Sequence, residues 1–248
     1  MTADLPCSTR MLASVTSAAE AWIVLAAGAD IVDLKDPSRG ALGALSDAAV
    51  RDIVRAIGGR ATVSATVGDL ASMGSGEVSD AVLRMARAGV DVVKVGFFPA
   101  PSAVECVAAL GDVAEQGVRI VAVLFADRLP DWSLLPRFAA AGFLGVMLDT
   151  AGKDGRSLRR HLSDSELREF IAQARRLGLV AGLAGSLTVA EIEPLLPLRP
   201  DYLGFRGALC GGGSRTASID AAACARVRAA IPTDAAWRQG VIPQRALP

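Results

Sequence analysis

Short β-branched or apolar runs alternate with stretches whose apolar positions recur at helical spacing, the mark of strand-helix units assembling a parallel sheet. The strands are predicted at 11–15, 30–35, 61–67, 91–97, 118–125, 143–148, 179–185 and 202–206, and helices between them at 17–27, 46–57, 77–88, 102–115, 164–177 and 188–195. Ser46 and Asp164 suit helix N-caps, and Gly28, Gly89 and Gly178 follow last helical turns where a left-handed residue is wanted. Two junctions, Ala-Gly-Ala-Asp-Ile-Val at 27–32 and Ala-Gly-Val-Asp-Val-Val at 88–93, repeat one helix-glycine-strand phrase, read as structural. Eight strand-helix pairs without a Pro/Gly/Ser-rich linker predict a single-domain (β/α)8 TIM barrel over 1–231, with 232–248 as a loosely packed C-terminal tail. No G-x-G-x-x-G follows the first strand, which argues against a doubly wound dinucleotide-binding sheet.

Composition narrows the function classes. Of the 248 residues 52% are hydrophobic and 21% charged, so the chain has the apolar content for a packed core. Twenty-six basic residues balance 26 acidic ones, which argues against nucleic-acid binding by bulk phosphate neutralisation. The apolar runs fall short of the roughly 18 residues a membrane helix needs, and residues 1–6 lack the pattern of a secretory signal. Cys7, Cys106, Cys210 and Cys224 show no C-x-x-C spacing and His161 is the sole histidine, so neither a zinc site nor another metal is expected, and a reduced, cytoplasmic compartment is. Barrel helices are amphipathic with or without a partner, which leaves a homo-oligomer open.

The cations are asymmetric: only Lys35, Lys94 and Lys153 are lysine and the rest are arginine. Guanidinium keeps its charge, whereas an ammonium that is buried or set beside other cations can shed a proton and attack a carbonyl. In a barrel the chemistry sits at the C-terminal ends of the strands. Lys35 closes the second strand with Asp33 on the same face, Lys94 sits inside the apolar run Val-Val-Lys-Val-Gly, and Lys153 follows Asp149 behind the sixth strand. All three therefore map to one mouth, where each amine disfavours charging of the next. The blander alternatives are a same-strand ion pair of Asp33 with Lys35, and a cap or loop hydrogen bond for Asp149. Anion-site candidates come from the last two strands: Gly185 and Ser186 precede a helix that Thr188 opens, and Gly204, Arg206 and Gly207 end the eighth, with Arg206 or Arg215 as a forked donor. The Gly211–Gly213 run is equally well a surface loop.

The ordered set Asp33-Leu34-Lys35-Asp36-Pro37, Val63 to Asp69, Val93-Lys94-Val95-Gly96, Met147 to Ala151 with Lys153-Asp154-Gly155, Leu183 to Ser186 and Arg206-Gly207-Ala208 resembles the (5-formylfuran-3-yl)methyl phosphate synthases, from about residue 11 to 230. The resemblance implies a lyase of methanofuran biosynthesis, and so of one-carbon metabolism, that condenses two molecules of glyceraldehyde 3-phosphate into 4-(hydroxymethyl)-2-furancarboxaldehyde phosphate without a cofactor. It implies that Lys35 forms the Schiff base and Lys94 accepts a proton, with Asp149 and Lys153 matching a further catalytic motif. The chain departs from the family at Asp36, where asparagine is usual and a carboxylate beside Lys35 would hold its amine protonated, and at Gly211–Arg215, a less polar loop than the family's. A Schiff-base aldolase acting on another phosphosugar would need the same lysine. A phosphosugar isomerase would instead rely on a carboxylate base, and a non-catalytic phosphometabolite sensor would need no amine at all.

Overall fold

The structure, a computed structural model, describes residues 9–69, 74–152 and 155–232. Eight parallel strands close in sequence order into a barrel: β1 (Arg10–Val15), β2 (Ile31–Leu34), β3 (Thr62–Thr66), β4 (Val92–Phe97), β5 (Ile120–Phe125), β6 (Gly145–Asp149), β7 (Val180–Leu183) and β8 (Tyr202–Phe205), with β8 pairing back onto β1. The helices are α1 (Ala18–Ala26), α2 (Asp47–Ile57), α3 (Ser75–Arg87), α4 (Ala103–Glu115), α5 (Leu135–Ala140), α6 (Asp164–Arg176), α7 (Ile192–Leu195) and α8 (Ala221–Ala230). The predicted strand ends hold to within two residues. The differences matter at the mouth: Lys35 is the first residue beyond β2, and Asp149 is the last residue of β6 rather than the first after it. Of the predicted tail only Pro232 lies within the described residues.

Period-two alternation in a strand divides the apolar residues into two cores. Met11, Ala13 and Val15, Val32 and Leu34, and Val93, Val95 and Phe97 face outward into one cluster with the helices. Leu12, Ile31, Val92, Val121, Val123, Met147 and Tyr202 fill the barrel itself. Where the interior is crowded, a glycine makes room: a Cβ on Gly182 would lie 2.2 Å from the Tyr202 ring. The floor is thus packed before the chain reaches the polar residues above it.

The repeated junction finds its physical reason at the opposite end of the barrel. Asp30 and Asp91 each accept the backbone N–H of the preceding strand's early residue, Met11 at 2.8 Å and Val63 at 2.8 Å, and Asp201 does the same for Ala181 at 2.7 Å. Gly28, Gly89 and Gly178 have φ of 86°, 96° and 77°, which turns each helix into the following strand. Ser46 caps α2, but the cap of α6 is Ser163, one residue before the predicted Asp164; it forms a reciprocal capping box with Glu166. Among the described residues no helix is long and apolar enough to cross a membrane.

Candidate active site

The polar residues begin one inward step above the apolar floor. Strand register sets Ser14, Asp33 and Ser64 side by side across β1, β2 and β3. Their side chains meet: Ser14 Oγ donates to Asp33 Oδ2 at 2.9 Å and Ser64 Oγ to Asp33 Oδ1 at 2.7 Å. The Lys94 ammonium of β4 closes on the same Oδ1 at 2.6 Å, its side chain 3% exposed. Burial alone pushes the Asp33 carboxyl up, yet the Lys94 and Lys35 charges and these hydrogen bonds outweigh it and hold the group below the usual carboxylate range. Burial lowers the Lys94 amine from the ordinary 10.5; Asp33 opposes that shift, and the Lys35 charge adds to it. Asp33 therefore pairs across the barrel with Lys94, and not along its own strand with Lys35.

Lys35 stands nearer the opening. Its Nζ lies 3.7 Å from Asp149 Oδ2, with its side chain 13% exposed. Asp36, the departure expected to keep Lys35 charged, is turned to another task. Its Oδ1 accepts from the Ser38 backbone N–H at 2.9 Å and the Ser38 hydroxyl at 2.6 Å, capping the 3₁₀ turn Pro37–Arg39. The rest of this loop is tied down by Asp69, which accepts from Ala41 and Leu42 N–H at 3.0 Å each. Lys153 lies outside the described residues. Lys35, Lys94, Asp33 and Asp149 line one cavity of about 800 Å³ at the C-terminal mouth.

The opposite wall of that cavity carries Gly185, Ser186, Gly204, Arg206, Gly207 and Arg215. Gly185 has φ of 103°, and a Cβ there would lie 2.9 Å from Thr150 Cγ2, so the turn after β7 packs directly behind the end of β6. Thr188 caps the following turn in a reciprocal box with Glu191, but that segment is a 3₁₀ turn, Val189–Glu191, running into the four-residue α7. Arg206 differs from the expectation of a forked anion donor. Its five N–H groups go to Glu20 Oε2 at 2.6 Å, Glu20 Oε1 at 3.1 Å, and the carbonyls of Arg215 at 2.8 Å, Ser14 at 3.1 Å and Ala217 at 3.1 Å, so an anion would have to displace one of these bonds. Arg215 reaches over the mouth to the Gly40 carbonyl at 3.3 Å.

Two amines and two carboxylates in one pocket at the C-terminal end of a closed parallel barrel suit proton transfer and carbonyl chemistry, and comparison with known proteins gives the family. The profile of the 4-HFC-P synthase family matches residues 11–228. The chain belongs to this family. A relative in Methylorubrum extorquens, named provisionally as a (5-formylfuran-3-yl)methyl phosphate synthase, is 44% identical over 233 residues, covering 92% of this chain and 95% of its own. The (5-formylfuran-3-yl)methyl phosphate synthase of Methanosarcina acetivorans is 37% identical over 219 residues, covering 84% and 93%. Among solved structures, phosphoribosyl anthranilate isomerase from Thermus thermophilus aligns with a TM-score of 0.62 at 16% identity, covering 90% of this chain and 98% of its own, and 3-keto-L-gulonate-6-phosphate decarboxylase from Vibrio cholerae with 0.62 at 14%, covering 91% and 100%. These structural likenesses show the fold.

Within the family site, several residues that shape the pocket carried no role in the sequence reading. Ser14 and Ser64 hold Asp33, Asp69 holds the loop behind Lys35, and Asp127, beyond β5, accepts from Ala151 and Gly152 N–H at 2.7 and 2.6 Å. For Ser14 the signal was available, a lone hydroxyl at an inward position of an apolar strand, whereas Ser64 shares its strand with Thr62 and Thr66 and does not stand out. The aspartates act through backbone groups of other loops, a pairing that only the closed barrel reveals.

Proposed function

We propose that this protein is a lyase that condenses two molecules of glyceraldehyde 3-phosphate into 4-(hydroxymethyl)-2-furancarboxaldehyde phosphate, with release of one phosphate and two waters, as a cytoplasmic step of methanofuran biosynthesis. The observation that supports this reading most is the division of the two amines, one at the opening beside a carboxylate and one sealed beneath it on a second carboxylate. Lys35 adds to a triose carbonyl and expels water to form the imine, its Nζ standing 3.7 Å from the Asp149 carboxylate. Lys94 takes the α-proton; its burial makes the neutral amine cheaper to reach than for a solvated lysine, and Asp33 holds the nitrogen in place. The resulting enamine attacks the aldehyde of the second triose. Asp149 and Lys153 then move protons through ring closure and dehydration, and phosphate leaves from one triose as the furan becomes aromatic. Water balances the imine when the product is hydrolysed from Lys35. Phosphate of the bound triose rests against Gly185, Ser186, Gly204 and Gly207, with Arg215 supplying guanidinium donors and Arg206 holding the wall.

Purified protein incubated with glyceraldehyde 3-phosphate alone should release inorganic phosphate and form a product with the strong near-ultraviolet absorbance of a furan aldehyde. Borohydride added during turnover should fix triose mass on Lys35, and Lys35→Arg should lose both adduct and furan. A linear sugar phosphate as product would make the protein an ordinary Schiff-base aldolase. Furan formation that persists in Lys35→Arg would remove the covalent step.

A further inference from the structure

Asp127 lies outside the amine pocket, on the 3₁₀ turn Ala126–Arg128 that follows β5. Its two carboxylate oxygens bind two consecutive N–H groups of the next loop, Oδ1 that of Ala151 at 2.7 Å and Oδ2 that of Gly152 at 2.6 Å. These bonds continue the strand register. Phe125 pairs with Asp149, and two residues further along each chain Asp127 meets Ala151. The loop held in this way leaves Asp149 and leads directly into Lys153. Gly152 is shaped for the contact, because a Cβ there would lie 2.9 Å from Asp127 Oδ2 while its φ lies outside the left-handed range. Burial raises the Asp127 carboxyl, but the Gly152 and Ala151 N–H groups more than offset it and keep the group below the usual carboxylate range.

We propose that Asp127 is a positioning residue, whose carboxylate clamps the loop after β6 at Ala151 and Gly152 so that Asp149 presents its carboxylate to the condensed intermediate. The clamp rests on the reaction proposed above and assigns Asp127 to its later half. The imine forms on Lys35, which belongs to a different loop with its own anchor in Asp69. Loosening the clamp therefore separates the two halves of the reaction, whereas general damage to the fold lowers both together.

The test uses the full chain with Asp127→Ala, Asp127→Asn and Gly152→Ala, the last of which leaves the carboxylate in place and presses on it. Each variant is given glyceraldehyde 3-phosphate and followed by borohydride trapping, furan absorbance and thermal melting. The expected result is adduct on Lys35 at the wild-type rate, KM close to wild type and furan formation slower on the order of 100-fold, the scale set by an ångström of misplacement. Asp127→Asn, which keeps one acceptor oxygen, should fall between Ala and wild type. Wild-type furan rates in Asp127→Ala and Gly152→Ala overturn the clamp, as does an equal loss of adduct and furan in variants that melt normally. If Asp127→Ala fails to fold, Gly152→Ala and Asp127→Asn decide on the same readouts. A wild-type chain that forms no furan overturns the reaction itself, an outcome distinct from any of these.

Discussion

An ammonium with 3% of its side chain exposed costs several kcal/mol of desolvation unless a partner returns it, and for Lys94 that partner is Asp33 at 2.6 Å. The carboxylate is itself completed by Ser14 and Ser64, so none of its charge faces an apolar wall alone. Removing one member should thus be worse than removing both. Asp33→Ala is expected to lower stability by about 3–5 kcal/mol in urea unfolding, and the double variant Asp33→Ala/Lys94→Met to recover most of that loss. Equal stabilities of the single and double variants would mean the pair is uncoupled. The pH dependence follows from the directions of the shifts. Because Asp33 is held below its unfolded value, its contribution is present above that value and is lost as pH falls through the lower, folded one. The Lys94 amine is held below 10.5, so in the window between its folded value and 10.5 the unfolded chain binds the proton more tightly and stability rises with pH. Nitrogen-detected titration should find the Lys94 midpoint below 10.5, and Asp33→Asn should move it lower still, since Asp33 is what raises it.

Among the elements, the seam between the first and last strands depends most on a single side chain. Arg206, just past β8, grips Glu20 near the start of α1 with both terminal nitrogens, while Glu20 also accepts the Thr16 backbone N–H at 2.7 Å and its hydroxyl at 2.9 Å. Arg206→Ala removes the guanidinium from the Glu20 carboxylate and from three carbonyls, and a loss of about 3–5 kcal/mol in unfolding free energy is expected. A change confined to substrate KM, with stability untouched, would instead return Arg206 to direct phosphate binding. The sequence showed the arginine but not its partner, which lies 186 positions away. The strands were legible because their inward and outward residues alternate and their junctions repeat. Two helices were not: α5 is six residues long with Pro136 in its first turn, and α8 is mostly alanine, with no long apolar stripe to mark a face. The same limit applies within the site. Lys35, Lys94, Asp33 and Asp149 stood out as scarce or misplaced residue types, whereas the pairing of Asp33 with Lys94 depends on β3 lying between their strands.

Along the barrel axis the molecule forms a gradient. Ile31, Val92, Val121 and Tyr202, near the starts of their strands, fill the floor; Asp33 and Lys94 stand two residues further on; Lys35 and Asp149 lie at the strand ends, where the cavity opens. Burial raises the Tyr202 hydroxyl in the floor too, and the Asp33 charge above it adds to that shift. Such a gradient gives the two amines unequal work. In the proposed reaction the upper one would meet the carbonyl, while the lower one, shielded from solvent, would exchange protons with what the upper one holds. This separation is testable with the interior charge kept balanced. In Asp33→Asn/Lys94→Met, where neither charge remains, borohydride should still fix triose on Lys35, but no furan should form because nothing removes the α-proton. Mass mapping of the trapped wild-type protein distinguishes the reverse arrangement: adduct on Lys94, or furan from the double variant, would place the covalent chemistry at the bottom of the cavity and leave the gradient without a catalytic purpose.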